Sequence, residues 1–363
     1  AADRDLSKPL LGATDLMTAA WKGDKEKLEE AIKHRPMEVD DVSKSGGTSA
    51  LMLAARKGHL EIVELLLQGK AKVGLRSRRG TTALSMAAEE GQIEVVEALL
   101  SSSGGDRPNI HDTDDDGYTA LGVACENGHA PCVQALLRAK SDPNQQRKNG
   151  WTSLITSSYN GYVEVVKALI DGGADPNKAK DNGYNAVIAA AYNGFDKVVE
   201  TLLELKANPD QPMTNGWNAL MVASAQGHAS VVDCLCEAGA SVDYCRQANG
   251  FSALMSAAST VHDATCATIL LQHRANVNLQ DTLGCDALMH AAWHGQSEAC
   301  AALIQSNANV LAVRPGGTTA LMDAAAAGHA AGVSTRPATA AGVSTAVARC
   351  CNQKVTALEK SPR

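Results

Sequence analysis

Over residues 49–69, SALMLAARKGHLEIVELLLQG, apolar side chains recur at helical spacing on both sides of Gly58, and polar residues fill the faces between them. Such a pattern predicts two short helices, the first closed at a glycine able to take the left-handed C-cap conformation. Ser49 stands where an N-cap oxygen satisfies an orphan helix N–H. A polar Asp/Asn/Pro stretch follows the second helix, as in ADPNKAKDNG at 174–183, and its Asn-Gly is a two-residue hairpin signal. The unit therefore reads helix, turn, helix, hairpin.

This unit recurs along nearly the whole chain. With Gly47 as marker, the equivalent glycines are Gly12, Gly47, Gly80, Gly117, Gly150, Gly183, Gly216, Gly250, Gly284 and Gly317, spaced by 33 to 37 residues. Two residues after each marker stand Thr14, Ser49, Thr82, Thr119, Thr152, Asn185, Asn218, Ser252, Asp286 and Thr319, every one of an N-capping type. Eleven residues after it a second glycine closes the first helix in nine of the units; Val261 breaks the column. Apolar residues such as Leu51 and Leu84, with small pairs such as Ala54-Ala55 and Ala87-Ala88, let neighbouring helices approach closely.

The period, the G-x-T-A-L-x-x-A opening, the internal Gly58-His59, Gly128-His129, Gly227-His228 and Gly328-His329, and the G-A-D-P-N ending at 173–177 resemble the ankyrin repeat. The resemblance implies an α fold, an ankyrin-repeat solenoid of nine to ten repeats, each of paired antiparallel helices, with short β-hairpin fingers. One departure is systematic: Ala50, Ala83 and Ala120 stand where that family carries Pro, and Met52, Ser85 and Gly122 where it carries His. The G-H histidines are expected to be structural, linking the two helices of a repeat. The expected organisation is an N-terminal extension over 1–11, repeats over 12–350 and a polar tail over 351–363. A lengthened loop occupies 101–117, and a ten-residue near-duplication, AAGVSTRPAT then AAGVSTAVAR, occupies 330–349.

Composition narrows the function. A net charge of −7 lacks the basic footprint of a nucleic-acid binder, and no apolar run is long enough to span a bilayer. Ten cysteines without framework spacing read as reduced thiols of an intracellular chain, in the cytoplasm or, since the sequence begins at Ala1 rather than Met, inside an organelle. No phosphate-cradling, dinucleotide, nucleophile-elbow or HExxH motif is present. DTDDDG at 112–117 matches the start of a calcium loop, but its twelfth position is Val123 instead of the closing Glu. The reading is a non-enzymatic chain with no metal, cofactor or small-molecule substrate.

Aromatic residues supply the positive signal. They make up only 3% of the chain, yet nine of the twelve occupy two repeat columns. One, directly after the marker, holds Tyr118, Trp151, Tyr184, Trp217 and Phe251 in five consecutive repeats, before Cys285 ends the run. The other, two before the internal glycine, holds Trp21, Tyr159, Tyr192 and Trp293. In the resembling family both columns face the concave groove. The resemblance therefore implies a protein partner bound there by Tyr118, Trp151, Tyr159, Tyr184, Tyr192, Trp217, Phe251 and Trp293, with Asn160, Asn193 and Gln226 hydrogen-bonding its backbone. Two alternatives remain open: the rings stiffen the row of fingers, or the chain is a constitutive subunit of a larger complex. Asn144, Asn177 and Asn278 match a position hydroxylated in some family members, where Asn is first a structural hydrogen-bonder.

Overall fold

The structure is a computed structural model that describes residues 13–102, 107–260 and 264–329. The expected N-terminal extension, the duplicated segment at 330–349, the polar tail and Val261 lie outside the described residues. The described chain forms helix pairs, and the first helix of each begins where its cap was expected. In all ten cases the cap side chain accepts a hydrogen bond from the backbone N–H three residues on, as Ser49 does from Met52 and Asp286 from Met289.

Two units divide the chain, over 1–178 and 179–363. Among the described residues the first contains five pairs, from Asp15–Lys22 with Lys25–His34 to Ser153–Asn160 with Val163–Asp171. The second contains four pairs, from Ala186–Asn193 with Asp196–Glu204 to Ala287–Trp293 with Ser297–Gln305, and then the helix Ala320–Ala326. Within each unit first helices stack on first helices and second on second. The core is aliphatic: Leu51, Leu84, Leu121 and Leu154 are buried in the first unit, Val187, Leu220, Leu254 and Leu288 in the second. The small pairs Ala54-Ala55 and Ala190-Ala191 are fully buried, which is what lets consecutive first helices close on one another.

Polar ties register each repeat on the next. Asn144 accepts from the Asp175 N–H at 2.8 Å and donates to the Gly173 carbonyl at 2.9 Å, while Asn278 accepts from the Asn309 N–H at 2.8 Å. Asp210 takes the same role towards Ser241, so this column is structural whether it carries Asn or Asp.

The G-H histidines correct their sequence reading. They do not link the two helices of one repeat; each ring reaches back to the preceding repeat. His129 Nε2 lies 3.0 Å from the Glu89 carbonyl and His228 Nε2 3.0 Å from that of Tyr192. The ring covers the preceding repeat's C-cap glycine so closely that a Cβ on Gly194 would stand 2.6 Å from His228 Nδ1.

The fingers also differ from expectation. Arg147 N–H donates to the Trp151 carbonyl and Gly150 N–H to that of Arg147, both at 2.8 Å, with φ +80° at Gly150. Asn149 has no positive φ, as a two-residue type I′ hairpin would require. The loop is instead a type I turn with glycine as the left-handed bulge residue. Paired strands are absent among the described residues; the only β pairing is two isolated bridges, Val42 with Ser49 and Cys245 with Ser252.

Crowding and backbone strain can be separated experimentally. Gly194 has φ +77° under the imidazole, whereas Gly239 has φ +83° with nothing within 4 Å of its added Cβ. Gly239→Ala is expected to cost about 1–2 kcal/mol from the left-handed backbone alone. Gly194→Ala should cost about 1–3 kcal/mol more, because His228 is displaced. Urea unfolding of the two variants checks this; equal losses would mean that the ring yields without cost.

Candidate functional site

The fingers fix the first aromatic column through the residue that opens or tops each turn. Asn149, Asn182, Asn215 and Asn249 accept from the backbone N–H of Trp151, Tyr184, Trp217 and Phe251 at 3.1–3.3 Å. Asp114 does the same for Tyr118 at 2.8 Å. The recurrent Asn-Gly ahead of an aromatic ring is thereby explained: Asn braces the aromatic residue's backbone and Gly makes the bulge beside it.

In the first unit three of the expected residues come together around a cation. The Arg147 guanidinium lies 4.2 Å from the Tyr118 ring centroid and 5.6 Å from that of Trp151. Its Nη2 donates to Thr156 Oγ1 at 2.7 Å, fixing it from the first helix. Trp151 meets Tyr159 edge-on, with centroids 5.6 Å apart and planes at 82°. Burial, and then the hydrogen bond with Glu126, push the Tyr118 phenol up to about 12.

The second unit holds the other five. Arg246 lies 5.5 Å from the Trp217 ring and Lys180 5.9 Å from that of Tyr184. Phe251 packs edge-on against His290 at 5.1 Å. The finger-base rings in both units are half-buried. The second column is freer: Tyr159 is 39% exposed, Tyr192 46% and Trp293 49%.

One further expectation needs revision. Asn160, assigned to the partner backbone, donates its Nδ2 to the Glu126 carbonyl at 3.0 Å. In the acidic finger, Asp114 is turned onto the N–H groups of Asp116 and Tyr118 and does not converge with Asp112 and Asp116. The eight cysteines among the described residues are free thiols, and burial pushes those of Cys125 and Cys300 up to about 12.

The cations over the rings were missed. Their signal was available in part: the residue opening the turn is Arg147, Lys180 or Arg246. A second missed pattern joins that residue to the first helix nine positions on. Arg147 bonds Thr156, Asp281 Oδ2 meets His290 Nε2 at 3.0 Å, and Arg314 Nη2 donates to Asp323 Oδ1 at 2.7 Å.

The model of the ankyrin repeat family, written as three copies, matches residues 16–112, 104–180, 121–213, 172–245, 187–281 and 254–335. The chain is an ankyrin repeat protein. Solved relatives include the human ASB11 ankyrin repeat domain, 25% identical with TM-score 0.54 over 61% of this chain and 96% of that one. Another is the ankyrin repeat domain of Bcl-3, a unique member of the IkappaB protein family, 26% identical with TM-score 0.55 over 62% and 99%. A search of curated proteins finds no match. Ankyrin repeats form protein-interaction domains, and no helix among the described residues is long and apolar enough to cross a membrane.

Removing the central cation should loosen the first unit's cluster. Arg147→Ala is expected to lower stability by about 1–2 kcal/mol, from the ring contacts and one hydrogen bond. Tryptophan fluorescence should become more accessible to an aqueous quencher. Arg147→Lys keeps the charge but not the planar fork and should recover less than half of the loss. Equilibrium unfolding of the three proteins measures both effects.

Proposed function

We propose that this ankyrin repeat protein is a non-enzymatic adaptor that takes up a segment of a partner protein against its two aromatic columns. The observation that carries the reading is the half-exposure of Tyr159, Tyr192 and Trp293 at one repeat position, in a chain where aromatic residues are rare. Exposed aromatic surface at recurring positions is costly in a free monomer and is the kind enriched at binding hot spots. The finger-base rings Tyr118, Trp151, Tyr184, Trp217 and Phe251 supply a braced floor, and the second-column rings supply the area that a partner buries. Free, buried thiols suit a reducing intracellular compartment.

A second reading, constitutive membership of a complex gripped on several faces, is favoured by one observation. Leu283 at a finger tip is 68% exposed and Val313 on the next finger 54%, so apolar exposure in the second unit extends beyond the aromatic columns.

Crosslinking with mass spectrometry in native extract separates the two. Tyr159→Ala, Tyr192→Ala and Trp293→Ala combined should remove links to one dominant partner, at least ten-fold, with helicity and unfolding midpoint unchanged. Links that persist undiminished and scatter over fingers and second helices would sink the adaptor reading in favour of the constitutive subunit.

A further inference from the structure

One repeat carries a different chemistry in the columns that hold a cation and a ring in the fifth and sixth repeats. The residue opening the turn, the residue after the marker glycine and the first-helix residue nine positions past the opening are Arg147, Trp151 and Thr156 in the fifth repeat. They are Met213, Trp217 and Val222 in the seventh, and Arg314, Thr318 and Asp323 in the tenth. In the ninth they are Asp281, Cys285 and His290. Their ligand atoms all lie within 4.8 Å of one another. We propose that Asp281, Cys285 and His290 bind a zinc-type divalent cation, with a fourth coordination position left for a ligand from outside the chain.

The three donors are held in place by the fold. Asp281 N–H donates to the Cys285 carbonyl and Gly284 N–H to that of Asp281, both at 2.9 Å, so the turn sets the first two donors side by side. Asp281 Oδ1 accepts from the N–H groups of Leu283 and Cys285, each at 2.9 Å, which leaves Oδ2 directed at His290 Nε2, 3.0 Å away. The imidazole comes from the helix Ala287–Trp293 and is braced by the edge-on ring of Phe251. The Asp281 side chain is 6% exposed and that of His290 19%, so the site is largely shielded from solvent and the imidazole is its more exposed donor of the two.

The donor set selects the ion. Thiolate, imidazole and carboxylate together suit zinc and disfavour magnesium or calcium, which take oxygen ligands. Zinc bonds of about 2.0–2.3 Å in a tetrahedron separate ligand atoms by about 3.3–3.8 Å; Asp281 Oδ2 and His290 Nε2, 3.0 Å apart, already stand near that separation, and Cys285 Sγ lies within 4.8 Å of both. Charge also balances: the divalent cation is neutralised by the Asp281 carboxylate and the Cys285 thiolate.

Arg314 stands beside the site. Its Nη1 donates to Cys285 Sγ at 3.4 Å, and its Nη2 is paired with Asp323 at 2.7 Å, so its charge is compensated while it supports a thiolate. An Asp–His strut alone would need no more than the pairing seen between Arg314 and Asp323; the buried thiol at the third corner is what a strut does not require.

The test titrates the reduced, chelator-stripped full chain with Co²⁺ as a spectroscopic stand-in for zinc. One equivalent should produce a thiolate-to-cobalt charge-transfer band with tetrahedral d–d absorption, both lost on adding Zn²⁺. Cys285→Ser should abolish the charge-transfer band, Asp281→Asn and His290→Ala should weaken cobalt binding at least ten-fold, and Cys350→Ser with Cys351→Ser should retain it. If Cys285→Ser does not fold, Zn²⁺ protection of wild-type Cys285 from alkylation, read residue by residue, decides in its place. Absence of the band at stoichiometric cobalt, its survival in Cys285→Ser, or unprotected Cys285 under bound zinc would overturn the proposal.

Discussion

No helix among the described residues can stand without its neighbours. The α-helices of the described chain run from seven to ten residues, below the roughly 12–15 at which an isolated helix becomes even marginally stable in water. Each repeat therefore depends on the contacts that cross to the next one: alanine pairs against the following first helix, an Asn or Asp bonded to the following second helix's end, and a histidine laid over the preceding C-cap glycine. Stability is then carried by nearest-neighbour interfaces. A cavity or clash at one interface weakens both repeats that meet there, which makes the glycine under each imidazole more sensitive than its place at a helix end suggests.

The same constraint explains which parts of the fold were legible in the sequence. Caps and C-cap glycines act within one repeat, and Thr14 through Thr319 could be read directly because each satisfies a donor three residues away. The partners of His129 and His228 could not, since a ring that serves the preceding repeat looks identical in sequence to one that serves its own. Asn149-Gly150 misled for a different reason. Type I′ and bulged type I turns share the dipeptide but differ in loop length and in whether Asn has a positive φ, and the hydrogen bond from Arg147 N–H to the Trp151 carbonyl marks the longer, bulged form. The aromatic columns were visible as repetition, but the cations over them were not, because the turn-opening position varies among Arg, Lys, Met, Asp and Ser.

On the proposed reading, two roles that looked like alternatives for the aromatic residues are distributed between the columns. Rings at the finger base are half-covered by Arg147, Lys180 and Arg246 and held by Asn side chains, so they stiffen the fingers. Rings near the first-helix ends project further into solvent. A braced floor beside exposed rings lowers the ordering cost of association, since fewer rotamers are frozen when a partner arrives. In the proposed adaptor, stiffening contributes to recognition without competing with it, and Tyr118, held by Arg147 and Glu126, contributes by position more than by contact.

The finger-base columns also show how chemistry varies on a fixed frame. Turn geometry requires only a backbone donor and acceptor at the opening residue and a glycine at the bulge, so the three side chains around them are constrained by one another alone. Arg147 with Trp151 and Thr156 satisfies that mutual constraint as a cation between rings, and Arg314 with Asp323 satisfies it as an ion pair. Asp281, Cys285 and His290 satisfy it as a set of donors converging from a turn and a helix. Because the caps, the small-residue pairs and the histidine contacts lie in other columns, the three side chains here can change together, and one repeat can carry a cluster unlike those of its neighbours.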